Sequence, residues 1–323
     1  MSDNPDRLRA SAGTAKVLGL KDIKSDVDPT TAYLMIGERC SFSCSFCPQG
    51  RASDSPARFL SRVSWPAWEQ GEVSCRVAAA ASDGRLKRAC FQVVMSAGAH
   101  RRVEEAVKEL RSRSGVPICV STSPRDLAEI GEILEWGADR VSLPLDAATS
   151  RIYRQVKGRE WDRSRGLLED AARQYPGRIS THLIVGLGET EEEMVACIQE
   201  MRDLGVTVGL FAFTPVRGTP LEDAQPPAIR HYRRVQVAHH LVGMGKIRVE
   251  EMRFDASGRI TGFGLDEGQA RQLLSDGKAF ETSGCEDCNR PYYNERPGGP
   301  MYNYPRPLTV EETAEAIAAA LGE

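Results

Sequence analysis

The sequence has no long hydrophobic run and no excess of charge of one sign. In 323 residues, 42 Lys and Arg stand against 45 Asp and Glu, a formal net charge of −3. This balance gives no basis for binding nucleic acid or an anionic membrane. No stretch has the 18 or more apolar residues of a membrane span, and the first residues lack a charged-then-apolar secretory pattern. We expect a cytoplasmic protein with no nucleic-acid or membrane partner.

Cysteine, in contrast, is plentiful, with nine residues. In a chain of this size without an export signal, cysteines are metal ligands or core thiols more often than disulfides. They fall into a triplet with C-x3-C-x2-C spacing, a C-x2-C pair near the C-terminus, and four single residues. The triplet is Cys40, Cys44 and Cys47, the tail pair is Cys285 and Cys288, and the single cysteines are Cys75, Cys90, Cys119 and Cys197.

The triplet predicts an inorganic centre. Three thiolates in one tight loop can face a common point, and soft sulfur ligands suit iron-sulfur clusters or zinc. A structural zinc site usually has four protein ligands and a cubane cluster usually has four cysteines, so three ligands leave one iron open for chemistry. The alternatives are a zinc knuckle or three buried thiols.

Short β-rich runs alternate with helical stretches after an N-terminal arm, residues 1–30. This rhythm predicts six βα units with a parallel sheet. Strands are predicted at 32–36, 89–95, 117–121, 139–143, 179–185 and 206–213, and helices near 64–82, 101–114, 124–136, 148–173, 190–204 and 227–243. Further strands and turns are predicted at 246–282. An ordered Pro- and Tyr-rich loop packed on the barrel is predicted at 282–307, and a final helix at 309–321.

The triplet and its strand context resemble the signature of the radical S-adenosylmethionine (SAM) superfamily, with Phe46 as the aromatic before the last cysteine. The resemblance implies an α/β fold, a partial (β/α)6 TIM-type barrel over residues 31–250, with the arm at 1–30 and a cluster-binding extension at 251–323. It also implies a 4Fe-4S cluster on the triplet, with SAM on the fourth iron. One electron then cleaves SAM to a 5′-deoxyadenosyl radical, which abstracts hydrogen from the substrate.

The same resemblance implies three SAM-binding segments. Ile184, Gly186 and Glu189 match the adenine-supporting pattern, although His182 replaces its first glycine, and a plain tight turn is the alternative. Asp146 matches the ribose-binding position, with a helix cap as the alternative. Ser96, Ala97 and Gly98 form a small-residue turn that could reach the methionyl end of SAM or serve only for packing.

Residues 31–250 are most similar to biotin synthases and lipoyl synthases. Cys47-Pro-Gln, the 184–189 segment and Val216-Arg-Gly-Thr-Pro-Leu221 carry this likeness. Biotin synthase holds a sacrificial 2Fe-2S cluster with three cysteines and an arginine. Cys90, Cys119 and Arg248 match three of these positions, but Ser180 stands at the last cysteine and Pro144 at a substrate-binding asparagine. We therefore expect Cys90 and Cys119 to be core thiols.

The tail pair and the residues after it resemble the two-component, archaeal type of lipoyl synthase, which carries a second 4Fe-4S cluster. This implies that Cys285 and Cys288 hold an auxiliary cluster over the barrel mouth, completed by Cys75, Ser283, His182 or another group. A zinc clip is the alternative. The tail arginines, Arg290, Arg296 and Arg306, would contact a carrier protein or form a solvated loop.

These resemblances imply a lipoyl synthase component that inserts sulfur into an octanoyl chain on a lipoyl domain or glycine-cleavage H protein. A methylene has no acidic proton, so hydrogen abstraction by a radical suits this substrate. A second lipoyl synthase component and an electron donor such as ferredoxin or flavodoxin would be partners. The alternatives are biotin-type or other C–H functionalisation, with the tail cluster passing electrons, and a non-catalytic zinc-binding protein.

Overall fold

The computed structural model describes residues 7–295 and 298–322. Its strands are β1 Arg7–Ala10, β2 Thr31–Ile36, β3 Phe59–Leu60, β4 Val63–Ser64, β5 Ala67–Glu69, β6 Arg88–Val93, β7 Ile118–Ser121, β8 Arg140–Ser142, β9 Ile179–Val185, β10 Thr207–Ala212, β11 Arg253–Phe254 and β12 Ile260–Gly262. Its α-helices are α1 Ala12–Val17, α2 Gln70–Ser82, α3 Ala99–Arg113, α4 Leu127–Glu135, α5 Ser150–Lys157, α6 Trp161–Gln174, α7 Glu191–Asp203, α8 Ile229–Gly243, α9 Glu267–Leu274 and α10 Val310–Leu321. Two short 3-10 helices span Val249–Glu251 and Lys278–Phe280.

One eight-stranded sheet organises the fold, in the order β10-β9-β8-β7-β6-β2-β1-β5. The six strands from β2 to β10 in this order pair in parallel. Helices connect them, and their apolar residues cover the sheet in one continuous core. The predicted partial (β/α)6 barrel is confirmed. Its parallel strands are buried in the manner of sheets covered on both faces, as in β2, where all six residues are buried.

Local sequence signals explain several element boundaries. At the start of α7, Thr190 Oγ1 accepts from Glu193 N at 3.1 Å, and Glu193 Oε2 accepts from Thr190 N at 2.9 Å. This reciprocal capping box is the predicted one. The predicted final helix is also present, as α10.

The N-terminal arm and two predicted helices differ from expectation. Within the arm, β1 pairs antiparallel with both β2 and β5 and so extends the sheet. The helix predicted at 64–82 starts only at Gln70, because 67–69 pair with β1. The helix predicted at 148–173 is two helices, since Gly158 ends α5 in a left-handed conformation with φ +59°.

The Pro- and Tyr-rich tail packs against the amino ends of the barrel strands. Asn289 Oδ1 accepts from Thr30 N, just before β2, at 3.0 Å. Arg88, at the start of β6, donates to Glu286 O at 3.1 Å, and Lys87 pairs with Asp287 at 2.9 Å. Residues 286–289 therefore cover this end of the barrel, while Asn294 further along the tail donates to Ala212 O, at the carboxyl end of β10, at 3.0 Å. Among the described residues, no helix has the length and apolar character needed to cross a membrane.

Candidate functional site

The cysteine triplet lies in a tight loop after β2, at the carboxyl end of the parallel strands. Cys47 N donates to Cys44 O at 3.1 Å, and Gly50 N donates to Cys47 O at 2.9 Å. A Cβ at Gly50 would lie 3.0 Å from Cys44 O, so the loop closes around a position that only glycine fits without displacement. All three thiols remain partly accessible.

The three sulfur atoms are close enough to affect one another electrostatically. Burial, together with the neighbouring Cys44 and Cys40, raises the pKa of Cys47 to about 12. Burial also raises the pKa of Cys44, while Lys157 opposes this shift. Cys44 and Cys47 are therefore neutral thiols at neutral pH unless a cationic centre stabilises their thiolates. Across residues 7–295 and 298–322, no three His, Cys, Asp or Glu side chains are grouped to hold a single metal ion. A cubane spreads its sulfur ligands over separate irons, and three partly exposed thiols in one loop fit that wider arrangement.

The predicted methionyl-binding segment lies directly against the triplet loop. Ser41 N donates to Met95 O at 2.7 Å. The Ser96 hydroxyl is buried without a hydrogen-bond partner, and a Cβ on Gly37 would lie 2.8 Å from it. Ala97 and Gly98 are exposed. An unsatisfied hydroxyl beside a thiol loop fits a polar ligand at this edge of the barrel.

Asp146 is positioned differently from a free ribose-binding carboxylate. It has φ +66° and accepts from Lys157 Nζ at 2.6 Å. Lys157 is buried, and it also donates to Pro144 O at 2.5 Å. The sequence did not reveal Lys157, because a lysine at the end of a helix is usually solvated. This buried pair lies beside Cys44, on which both groups act electrostatically.

The predicted adenine-supporting segment forms a turn that Glu189 stabilises. The carboxylate of Glu189 accepts from Gly186 N at 2.6 Å and from Leu187 N at 3.0 Å. Gly186 has φ +100°, and a Cβ there would lie 2.9 Å from Pro227. Glu189 thus fixes the backbone of the turn, and Ile184 lines the adjoining cavity.

The end of the triplet loop, Asp146 and Ile184 line a mostly apolar cavity at the carboxyl ends of the strands, which we call the upper chamber. Phe46, predicted beside the cluster, is part of its wall together with Cys47 and Asp146. The other lining residues are Pro48, Leu60, Ser61, Gln92, His182, Ile184, Phe211, Ala212, Phe213, Thr214, Val216, Tyr293 and Asn294. The triplet thus opens into a chamber that can hold a second molecule.

Comparison with known proteins identifies the family. The model of the radical SAM superfamily matches residues 34–201, just over half of the chain. The chain belongs to the radical SAM superfamily. Membership in this family implies a 4Fe-4S cluster and SAM as cofactors, and the triplet, which lies within the matched residues, remains the predicted ligand set for that cluster.

Curated relatives include two classes of sulfur-inserting enzyme. Biotin synthase of Acinetobacter baumannii (strain ATCC 17978) is 24% identical over 290 residues, covering 87% of this chain and 84% of its own. Lipoyl synthase of Trichlorobacter lovleyi is 25% identical over 206 residues, covering 60% of this chain and 69% of its own. This radical SAM enzyme is thus related to both.

Two solved structures show the same fold. Methylornithine synthase superimposes with a TM-score of 0.54 at 20% identity, over 67% of this chain and 62% of that one. The FeFe-hydrogenase maturase HydG from Carboxydothermus hydrogenoformans gives a TM-score of 0.51 at 17% identity, over 67% and 52%. This chain therefore spans less than two thirds of the length of either.

A second cavity, the lower chamber, lies deeper in the barrel of this radical SAM enzyme. Four residues line both chambers: Gln92, His182, Phe211 and Tyr293. The other residues of the lower chamber are Tyr33, Cys90, Cys119, Ser142, Ser180, Thr181, Gly209, Ser283, Gly284, Cys285, Cys288 and Arg290. The two chambers therefore share a wall of side chains.

The tail pair enters the lower chamber from the amino ends of the strands, so the expectation that it lies over the barrel mouth is wrong. Cys285 Sγ is 3.7 Å from Arg140 Nη1, and Cys288 Sγ is 3.2 Å from the Tyr33 hydroxyl. The hydrogen bond with Cys119 and then burial raise the pKa of Cys285. The pair thus faces the interior, beneath the upper chamber.

Ser283 and His182, two of the groups predicted to complete the auxiliary site, line the lower chamber beside the tail pair. The predictions for Cys75 and Arg248 are wrong. Cys75 is exposed on α2, where Arg113 donates to its sulfur at 3.2 Å, so it cannot reach the tail pair. Arg248 is on the surface and pairs with Asp203 at 2.9 Å. The match of Arg248 to the cluster arginine of biotin synthase is therefore wrong.

Arg290 is the arginine that reaches the lower chamber. Its guanidinium lies 3.9 Å above the Phe211 ring and donates to Ser283 O at 2.7 Å. It is folded inward, which contradicts its predicted role in carrier contact. Arg306 pairs with Glu312 at 2.8 Å, and Arg296 lies outside the described residues.

Proposed function

We propose that this radical SAM enzyme inserts sulfur into the octanoyl chain of an acylated carrier protein, as a component of a lipoyl synthase. The lipoyl synthase relatives and the cysteine-rich tail support the substrate class. The carrier would be a lipoyl domain or glycine-cleavage H protein. A second lipoyl synthase component and a ferredoxin or flavodoxin would complete the system.

The upper chamber is the observation that carries this proposal. It lies between the triplet and the lower chamber, and its walls are mainly apolar and aromatic. Its ionisable groups carry no free charge: Asp146 is paired with Lys157, and burial lowers the pKa of His182 to about 4. A saturated acyl chain suits such a site, because it gains from burial and needs no ionic partner.

Hydrogen abstraction and sulfur insertion at a methylene depend on how the substrate is positioned more than on acid or base side chains. When bound, the cluster and SAM supply the 5′-deoxyadenosyl radical, and an auxiliary cluster on Cys285 and Cys288 would supply sulfur. Phe46 and Ile184 would confine the reacting groups on one side, and Phe211 and Tyr293 would exclude water on the other. The chain's own role is to hold a methylene between the two sites.

Biotin-type insertion is a second candidate, because the biotin synthase relative covers 87% of this chain. Ser180 in place of a cysteine and Pro144 in place of an asparagine favour the lipoyl assignment. Both departures affect the region in which biotin synthase holds its sacrificial cluster and substrate.

The test uses full-length protein reconstituted anaerobically with iron and sulfide, then given SAM and dithionite. Octanoylated H protein and dethiobiotin are offered in separate reactions, with intact-mass analysis of each product. Sulfur added only to the octanoyl chain supports the proposal, whereas sulfur added only to dethiobiotin supports the second candidate. Formation of 5′-deoxyadenosine without sulfur on either substrate would reject both.

A further inference from the structure

The lower chamber brings together four cysteines that are far apart in sequence. Cys90 and Cys119 are directly paired in register on the neighbouring strands β6 and β7. Cys285 and Cys288 approach the same chamber from the tail, and all four line it. They differ from isolated core thiols because they share this cavity with one another and with polar side chains such as Ser180 and Arg290.

The thiols of the two pairs are close to one another. Cys119 lies near enough to Cys285 from the tail and to Cys90 on the neighbouring strand for both thiols to shift its pKa. Cys288 N donates to Cys285 O at 3.1 Å, which closes the tail turn, and both tail cysteines line the lower chamber. Cys90 and Cys288 also pack against the same interior apolar cluster. The four sulfurs therefore surround one space.

The tail is held closely enough to fix this arrangement. A Cβ on Gly284 would lie 3.3 Å from Gly209 Cα in β10, so the tail backbone lies almost in contact with the strand. Ser283 Oγ accepts from Leu210 N at 2.9 Å. Because these contacts involve backbone atoms of β10, they fix the position of the tail along this strand.

Two further features of the chamber fit an anionic occupant. The Ser180 hydroxyl is buried and has no hydrogen-bond partner. Arg140 Nη1 lies 3.7 Å from Cys285 Sγ, and Arg290, whose guanidinium lies 3.9 Å above the Phe211 ring, also lines the chamber. A cluster held by four thiolates is negatively charged, and it offers sulfide acceptors to a hydroxyl donor.

We infer that Cys90 and Cys119 are the remaining two ligands of the auxiliary cluster, so that Cys90, Cys119, Cys285 and Cys288 together hold one 4Fe-4S cluster inside the barrel. This assignment rests on the auxiliary cluster of the proposed function. It replaces the expectation that Cys90 and Cys119 are core thiols, and it leaves Ser180 and His182 as neighbours of the cluster.

Iron counting separates this site from the triplet. In a Cys40→Ala/Cys44→Ala/Cys47→Ala background, reconstituted protein should retain about four iron and four sulfide per chain. Adding Cys90→Ala, Cys119→Ala, Cys285→Ala or Cys288→Ala should each remove most of that iron and change the electron paramagnetic resonance spectrum of the reduced protein. Cys197→Ala, which alters a buried thiol on α7, is the matched control and should retain it.

Full iron content in both the Cys90→Ala and Cys119→Ala variants would overturn the assignment, as would a background protein that binds no iron. Product formation plays no part in this readout. A protein that holds the second cluster on these four cysteines but transfers no sulfur would therefore refute the proposed function and leave the ligand assignment intact.

A second measurement does not depend on cluster loading. Metal-free background protein is treated with diamide, and its disulfides are mapped by mass spectrometry. A link between a strand cysteine and a tail cysteine, chiefly Cys119 with Cys285, is expected from their contact. Tail cysteines that stay unlinked, or that link to Cys75, would contradict the arrangement.

Discussion

At the residue scale, the triplet and the lower-chamber cysteines form two separate groups. The triplet occupies a short loop whose spacing alone identifies it, whereas the other four cysteines come together only in the fold. Local spacing can reveal a site built by one loop. It cannot reveal a site shared between two strands and a tail about 200 residues away in sequence.

Replacing one triplet cysteine should abolish radical initiation. Cys47→Ala removes one of three ligands, so the reconstituted variant should release no 5′-deoxyadenosine above background from SAM and dithionite. Cys75→Ala, on the exposed face of α2, is the control and should match the parent protein. Liquid chromatography of the quenched reactions measures both. Undiminished release from Cys47→Ala would refute the assignment of the triplet.

The pH dependence of stability should report on His182. Burial lowers its pKa from 6.5 to about 4, so between these values the unfolded chain binds a proton that the folded chain does not. The free energy of unfolding should therefore decrease as the pH falls from 6.5 to about 4. This decrease should be larger in the parent protein than in His182→Gln, by roughly 1–3 kcal/mol. Urea unfolding of the metal-free proteins at several pH values measures this difference. Parallel curves for the two proteins would show that His182 is not buried as a neutral base.

At the scale of elements, the βα rhythm was predictable because each unit is local. Six predicted strands coincide with β2 and β6–β10, and the capping box of α7 is present. Residues 64–69 were mispredicted because Ser64 pairs with β3 and residues 67–69 pair with β1, which comes much earlier in the chain. Arg290 was missed as a chamber residue for a similar reason, since only tertiary contacts bring it over Phe211.

The Gly186 turn provides a test of how the SAM-binding edge is built. Gly186→Ala forces a side chain into a left-handed backbone and within 2.9 Å of Pro227, so it should destabilise the fold by about 1–3 kcal/mol. Gly166→Ala, in the open middle of α6, should instead stabilise by up to about 1 kcal/mol. Urea unfolding measures both changes. Equal effects of the two substitutions would contradict the proposed constraint at Gly186.

At the scale of the whole molecule, the tail connects the N-terminal arm with β10, the last strand of the parallel sheet. It contacts the arm through Asn289 and Thr30, and β10 through Ser283 and Leu210. The partial barrel is thereby closed at the amino ends of its strands, while its carboxyl ends carry the triplet. A cluster in the lower chamber would add covalent links between the tail and the strands.

Removal of iron should therefore loosen the tail selectively. In hydrogen exchange followed by mass spectrometry, peptides from 283–294 should exchange faster in chelator-treated protein than in reconstituted protein. Peptides from α10 serve as the control, because this helix packs on α8 and has no thiol. Unchanged exchange in 283–294 would mean that no metal centre ties the tail to the barrel.

A single turnover with sulfur-labelled protein tests the proposed sulfur transfer most directly. The enzyme is reconstituted with ³⁴S-sulfide, desalted, and given SAM, dithionite and octanoylated H protein, and the mass of the acyl group is then measured by mass spectrometry. We expect ³⁴S from the protein's own cluster to appear in the octanoyl chain. Turnover that forms 5′-deoxyadenosine but leaves the octanoyl chain without ³⁴S would contradict the proposed sulfur transfer.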